Sequence, residues 1–368
     1  MKICLCADIY YNVGVAETAY QYSLAAKEMG IDFSISGFVD NKAKDKLPLI
    51  DEPDNWDGKG EEKNGEEYSL TKENVEDIDL FVFYFDNGNF YDRDEYTGEL
   101  EKLLEVLPRE KAIVIDADGK YNETLNYEGD SNHTSRRAGE NWKHTFESIS
   151  DDIYQTTLNP RNPNVNSFLF WGYKEPEKEE DKEFDLLYLG SNWHRMEKLK
   201  NFLDNFDRIR SHFPKISVWG KNWTMPDKYW PDATKPDMSY FKQKDIDLKE
   251  YTTDFGEFTQ ILGKSRFSPI LIRPILSYME IFTPRMLETF ASGTIPILTT
   301  DFGYGKQIYG DESRELFLGE KPVEKLVDMS NNETYYRNIT EEIKKNLKEH
   351  HSYENRLEKL IEIAENKK

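Results

Sequence analysis

A chain of 368 residues, 38% hydrophobic and 14% aromatic, is long enough for two domains of ordinary size and apolar enough to build cores rather than stay disordered. Its formal net charge of −22 argues against a broad nucleic-acid or anionic-membrane surface, because both need a positive face, although a local basic site inside an acidic shell stays open. No apolar run approaches the length of a membrane span and Met1-Lys2 leads straight into a short strand without a signal peptide, so a cytoplasmic location is expected.

Apolar runs alternate with helical patterns along the whole chain, the sign of βαβ units and parallel sheets. The segment KICLCAD predicts the first strand, with Cys4 and Cys6 on one face as small core residues. Asn12-Val13-Gly14 predicts a turn, followed by a helix to about Met29 that Gly30 closes. IDFSIS is the next strand. Residues 40–79, dominated by Asp, Glu, Lys, Gly and Asn, read as an acidic surface insertion. DLFVFYF is a buried strand, residues near 95–107 a helix, KAIVIDADG a strand and IYQTTL the last strand of this half. The charged segment KEPEKEEDKE at 174–183 reads as a linker. The rhythm then restarts with FDLLYLG, a helix from about Arg195 to Ser211, ISVWG, a helix near 255–264 and RFSPILI. From residue 322 onward the pattern is helical. Domains are therefore expected at 1–173 and 184–340, with a C-terminal helix at 341–368.

The stretch SYMEIFTPRMLETFASGTIPILT, residues 277–299, carries the most chemistry. Thr283 is placed to cap a helix, Pro284 suits its first turn, Glu288 falls in the second turn, and Gly293 ends it before a buried strand. A helix start offers free N–H groups and positive dipole to a phosphate or a sugar hydroxyl. Glu288 is suited to accept two hydroxyl hydrogen bonds from a ribose, and Glu280, seven residues earlier in the intervening count, to hold hydroxyls of a second group. Together they predict a nucleotide-sugar site; the alternative is an ordinary helix cap with solvated glutamates.

This glutamate pair resembles the signature of retaining GT-B glycosyltransferases. Residues 184–366 resemble the CgeB-like glycosyltransferases, named after a spore-maturation protein, in FDLLYLGSNWHRMEKL, in ISVWGKNW, in Arg285-Glu288-Gly293 and in the terminal SYENRLEKLIEIAE. The resemblance implies an α/β GT-B architecture: two Rossmann-like domains facing a cleft, with C-terminal helices, the last returning to the first domain. It implies a donor site in the second domain and an acceptor held mainly by the first. Gly190, Ser191 and Asn192 end a strand there, and Arg195 is expected to pair with the donor pyrophosphate or else to face solvent at the helix start. Gly220 would let backbone approach the base, with Trp223 either nearby or in the core, and Arg273 following the FSPILI strand. Arg285 would reach phosphate or Glu280, or form a structural ion pair.

In the first half the turn bearing Asp8, Tyr11, Asn12 and Gly14 sits where such enzymes approach the transferred sugar. Asp118, beside Asp116 and Gly119, would serve as an acceptor-side base or hydroxyl ligand, or form only an acidic turn. His133 and His144 are weaker sugar contacts. No metal constellation, HExxH, GxSxG or P-loop is present in the sequence, so no cofactor is expected beyond a nucleotide-diphosphate sugar as substrate. The expectation is a retaining, metal-independent, hexosyltransferase-like enzyme acting on a glycan, protein or small-molecule acceptor. The alternatives are a nucleotide-sugar 2-epimerase, a non-catalytic sugar-nucleotide binder and a phage-type glucosyltransferase of modified DNA bases.

Overall fold

A computed structural model describes residues 1–7, 9, 13–40, 43–50, 65–85, 99–121, 140–176, 178–228 and 231–367. Asp8, Tyr11, Asn12 and His133 lie outside the described residues. The chain forms two compact units. The first comprises Met1–Gly172, Met279–Thr283 and Tyr353–Lys368; the second comprises Tyr173–Tyr278 and Pro284–Ser352. Among the described residues no helix is long and apolar enough to cross a membrane.

The first unit is built on a seven-stranded sheet in the order β3-β2-β1-β4-β5-β6-β7. Its strands are β1 (Lys2–Cys6), β2 (Asp32–Asp40), β3 (Gly65–Tyr68), β4 (Leu80–Phe85), β5 (Ala112–Asp116), β6 (Ile153–Gln155) and β7 (Asn166–Ser167). All neighbours pair in parallel except β2 and β3. Residues 65–75, expected inside an acidic surface insertion, supply this antiparallel strand and a turn of helix α2 (Lys72–Val75) instead. Tyr68, Leu70, Val75 and Ile78 are buried, and these scattered apolar residues anchor a segment that its charged neighbours mask. Every residue of β4 and β5 is buried, as continuous apolar runs require in a sheet covered on both faces.

Helix α1 (Val13–Met29) follows β1 and buries Val15, Ala19, Tyr22 and Ala26, a spacing of three to four residues that places them on one face. Gly14 lies inside the first turn of α1, not in a preceding turn, so the helix starts earlier than expected. Helices α3 (Glu99–Val106) and α4 (Glu140–Ile149) complete the part before residue 172. His144 is an exposed residue of α4. Both cysteines are buried free thiols on β1.

The second unit has a five-stranded parallel sheet in the order β10-β9-β8-β11-β12. The strands are β8 (Phe184–Leu189), β9 (Ile216–Gly220), β10 (Asp247–Glu250), β11 (Ser265–Ile270) and β12 (Ile295–Leu298). Its helices are α5 (Met196–Leu203), α6 (Met238–Gln243), α7 (Glu257–Gly263), α8 (Pro274–Tyr278), α9 (Arg285–Ala291), α10 (Lys306–Tyr309), α11 (Pro322–Asn331) and α12 (Glu333–His350). The helix expected to run from 195 to 211 ends at Leu203 and continues as two single 3-10 turns, where Phe206, Ile209 and Phe213 turn into the core. Lys182, from the charged segment expected as a linker, donates to the carbonyls of Gly263 and Gly293 at 2.5 and 3.0 Å and so caps the ends of α7 and α9. Burial and the charge of Arg337 bring its pKa down to about 8.

Helix α13 (Tyr353–Asn366) belongs to the first unit and packs on α1. Its Arg356 is buried and donates to the carbonyl of Trp171 at 2.9 Å. The ring of Tyr353 meets that of Tyr22 edge-on at 5.3 Å.

Candidate functional site

The second sheet begins in its middle. Chain order places β8 at the centre, β9 and β10 on one side and β11 and β12 on the other, so the topological switch point lies between β8 and β11. In open parallel sheets ligands bind at the carboxyl ends of the strands beside that point. The loop after β8 holds Gly190, Ser191, Asn192 and Arg195; the loop after β11 holds Leu271, Ile272 and Arg273.

Gly190 and Gly220 are both required at the ends of their strands. Gly190 has φ of +151°, and a Cβ there would stand 2.1 Å from Nη2 of Arg285. Gly220 has φ of +149°, and its Cβ would stand 2.0 Å from the carbonyl oxygen of Gly190. Packing of strand end on strand end thus explains Gly220 without a ligand. The guanidinium of Arg285 donates to the carbonyl of Leu189 and lies between the rings of Tyr188 and Phe258, at 5.2 and 5.3 Å from their centres. It is the first residue of α9 and ties the start of that helix to the β8 loop.

The helix start differs from expectation in one detail. The residue preceding α9 is Pro284, which already has helical backbone angles, φ −52° and ψ −41°. Because the helix begins at Arg285, Glu288 lies in its first turn rather than its second. Gly293 ends it with φ of +74°, as a left-handed terminus requires.

Arg195 precedes α5 and folds back on its own loop, its Nη1 lying 3.4 Å from the Ser191 carbonyl and 3.3 Å from that of Trp193. Both contacts are long for hydrogen bonds. Asn192 is buried and donates to the carbonyls of Asn222 and Thr234 at 3.1 and 3.0 Å, joining the loops after β8 and β9. Trp223 is fully buried, edge-on to Tyr188 and Phe241, and donates to the Gly190 carbonyl at 2.6 Å. It is a core residue.

Lys198, in the first turn of α5, was not expected. Its ammonium donates to the Ile272 carbonyl at 2.6 Å and pairs with Asp301, which follows β12. Asp301 also accepts from Thr299 at 2.6 Å and Ser277 at 3.1 Å. Burial pulls the Lys198 ammonium below its ordinary pKa, Asp301 offsets part of this, and Arg195 adds to the lowering. Burial would raise the Asp301 carboxyl, but Lys198 and the two hydroxyls hold it below the usual carboxylate range. Only the helical register after GSNWHR placed this lysine over the switch point, and nothing in its own neighbourhood marked it. Arg273, after β11, is buried.

In the first unit, Glu280 has φ of +55°, and its Oε2 accepts from the Nδ2 of Asn159 at 2.8 Å. Phe282 donates to the Thr156 carbonyl at 2.6 Å, and the Thr156 hydroxyl donates to the carbonyl of Phe282 at 3.2 Å. Residues 279–283, expected within the second domain, therefore cluster with the first unit. Asp118 is buried in the turn after β5. Asp116 is wholly buried and accepts from the N–H groups of Lys120 and Tyr121 and from Gln155, each at 2.8 Å. Burial raises its pKa against those bonds, and its role is to hold the turn. Among the described residues no group of three or more His, Cys, Asp or Glu side chains is arranged to hold a metal.

No protein-family model matches the chain, and no curated protein matches it. Solved structures do. An α-glucosyltransferase solved with UDP and a 13-mer DNA containing a central A:G mismatch superposes with a TM-score of 0.63 at 13% identity, over 99% of this chain and 99% of that one. The structure of an α-glucosyltransferase with UDP and a 13-mer DNA containing a HMU base gives 0.60 at 12% identity, over 99% of each chain. The T4 phage BGT, solved with UDP and Mn2+, gives 0.55 at 12% identity, over 98% of this chain and 99% of that one. The fold is GT-B. At these identities the likeness establishes the fold, and the resemblance to the CgeB-like group has no family match behind it. In the GT-B frame the structure gathers Gly190, Gly220 and Arg285 at one strand end, with Lys198 bridging to the β11 loop.

Proposed function

We propose that the chain is a glycosyltransferase that takes a sugar from a nucleotide-diphosphate donor. The observation that carries this reading is the convergence of cationic side chains on the carboxyl ends of β8 and β11 in a GT-B fold. Arg285 is fixed at the β8 end, Lys198 at the loop after β11, and Arg195 opens the helix between β8 and β9. A leaving diphosphate gains negative charge as the glycosidic bond breaks, and fixed cations there stabilise the transition state more than the ground state. Arg195 and Lys198 meet the diphosphate. Arg285, engaged on the Leu189 carbonyl, holds the start of α9 so that Glu288 receives the ribose diol. Glu280 holds hydroxyls of the sugar. Retention of configuration needs no protein nucleophile if the leaving phosphate takes the acceptor's proton, and Asp118 serves the acceptor side. Side-chain charge replaces a metal in this reading.

For the acceptor, the DNA bound to the α-glucosyltransferase structures favours a nucleic acid, and the HMU base in one of them favours a hydroxymethylated pyrimidine. The chain's acidity, read from the sequence as an argument against nucleic acid, does not decide against this acceptor, because one accessible nucleotide needs only a local site. The test is incubation with a panel of nucleotide sugars, UDP-glucose first, with and without an oligonucleotide containing hydroxymethylated pyrimidines, followed by mass spectrometry. One added hexose on the DNA supports both halves of the proposal. Donor consumed with unmodified DNA moves the acceptor elsewhere, an epimerised donor makes the protein an epimerase, and binding without turnover makes it a sugar-nucleotide binder.

A further inference from the structure

Glu280 stands on backbone that residues with a Cβ seldom adopt, with φ of +55°. Such a conformation persists where the surroundings over-determine it. Here the Thr156–Phe282 pair of bonds clamps the segment just after it, and the Asn159 amide holds its carboxylate at 2.8 Å. Asn159 is itself fixed: its N–H donates to the Thr157 hydroxyl at 3.1 Å, and the Thr157 carbonyl accepts from Ser167 at 2.6 Å. Asn159 is exposed and Glu280 partly so, and a solvated amide–carboxylate bond adds little to folding. It does set direction. A neutral amide occupies one lone pair of one oxygen and leaves the carboxylate charged, with its remaining acceptor sites available for hydroxyls.

We infer that Asn159 is a positioning residue for Glu280, aiming its carboxylate at the hydroxyls of the transferred sugar. This rests on the proposed role of Glu280 in the transferase reading. The experiment measures UDP-glucose consumption and UDP affinity in wild type, Asn159→Ala, Asn159→Asp, Glu280→Ala and the Asn159→Ala/Glu280→Ala double variant. Asn159→Ala should lower kcat roughly tenfold while UDP, which lacks the sugar, binds within about twofold of wild type. Asn159→Asp should be slower still, because two carboxylates repel. In the Glu280→Ala background, Asn159→Ala should add nothing. A slow Glu280→Ala beside an unaffected Asn159→Ala overturns the inference and leaves the transferase reading standing, as does a loss in the double variant equal to the product of the single losses. A wild type that consumes no nucleotide sugar removes the reading and this inference with it.

Discussion

Arg285 occupies the space that a side chain on Gly190 would need, with Nη2 2.1 Å from the position of that missing Cβ. Gly220 stands against Gly190 in turn, its own missing Cβ 2.0 Å from the Gly190 carbonyl. Two strand ends and one helix start thus close on each other with no room to spare. The obstacle at Gly190 is the tip of a flexible side chain, whereas at Gly220 it is backbone. With φ of +151° and +149° the backbone strain of about 1–3 kcal/mol is common to both positions, and the backbone obstacle should make Gly220→Ala destabilise the fold more than Gly190→Ala. Denaturant unfolding of both variants checks the order. Gly190→Ala should instead show its main effect on UDP binding, through displacement of Arg285.

Arg195 folds back on its own loop, with two long contacts to the carbonyls of Ser191 and Trp193, and in the proposed reading its guanidinium turns to the diphosphate. Arg195→Ala should weaken UDP binding roughly tenfold and leave uridine binding nearly unchanged. Arg195→Lys should recover part, keeping charge without the planar fork. The effect should shrink as salt rises. Equal losses for UDP, UMP and uridine would mean that the arginine supports the loop instead.

The lowered pKa of Lys198 gives a pH signature. The ammonium is charged below its folded pKa and loses its proton on the alkaline side earlier than an ordinary lysine. If it meets the diphosphate, kcat/KM for the donor should fall on that alkaline limb, and Lys198→Arg should remove the fall. Asp301 has the opposite sign. Its folded pKa is depressed, so its contribution to stability is present above the unfolded value and lost as pH falls through the folded one. Asp301→Asn should abolish that acid-side loss in a series of unfolding measurements.

Turnover should persist in excess chelator, because the proposed site neutralises the diphosphate with side chains. The T4 phage protein solved with UDP and Mn2+ makes the measurement pointed. Loss of activity that manganese or magnesium restores would replace the side-chain account with a metal-assisted one.

What the sequence disclosed follows the physics of each segment. Buried parallel strands such as LFVFYF and AIVID are apolar runs, broken only by Asp116 at the end of the second, and both lie where expected. The edge strand β10, DLKE, carries no such signal because almost all of it faces solvent. Strand β7 is two exposed residues long. The glutamates and glycines of the 277–299 stretch stood out by type and order, yet which unit claims Glu280 depends on bonds to Thr156 and Asn159, more than a hundred residues earlier. Lys198 was hidden for a similar reason: one of the two lysines on α5 becomes distinct only when Ile272 and Asp301 come to it. Asn192 was read as a ligand contact at a strand end and also joins the loops after β8 and β9, while Trp223, open between the site and the core, lies in the core.

The most direct test of the central claim is the rate of nucleoside-diphosphate release from UDP-glucose and the other nucleotide sugars, measured side by side for wild type and Glu288→Ala. The account predicts steady release by the wild type on at least one donor. It predicts that the variant, lacking a charge-assisted contact to the ribose diol worth about 1.5–3 kcal/mol, is slower by one to two orders of magnitude with its fold intact. No release from any donor, or equal rates for the two proteins, would contradict it.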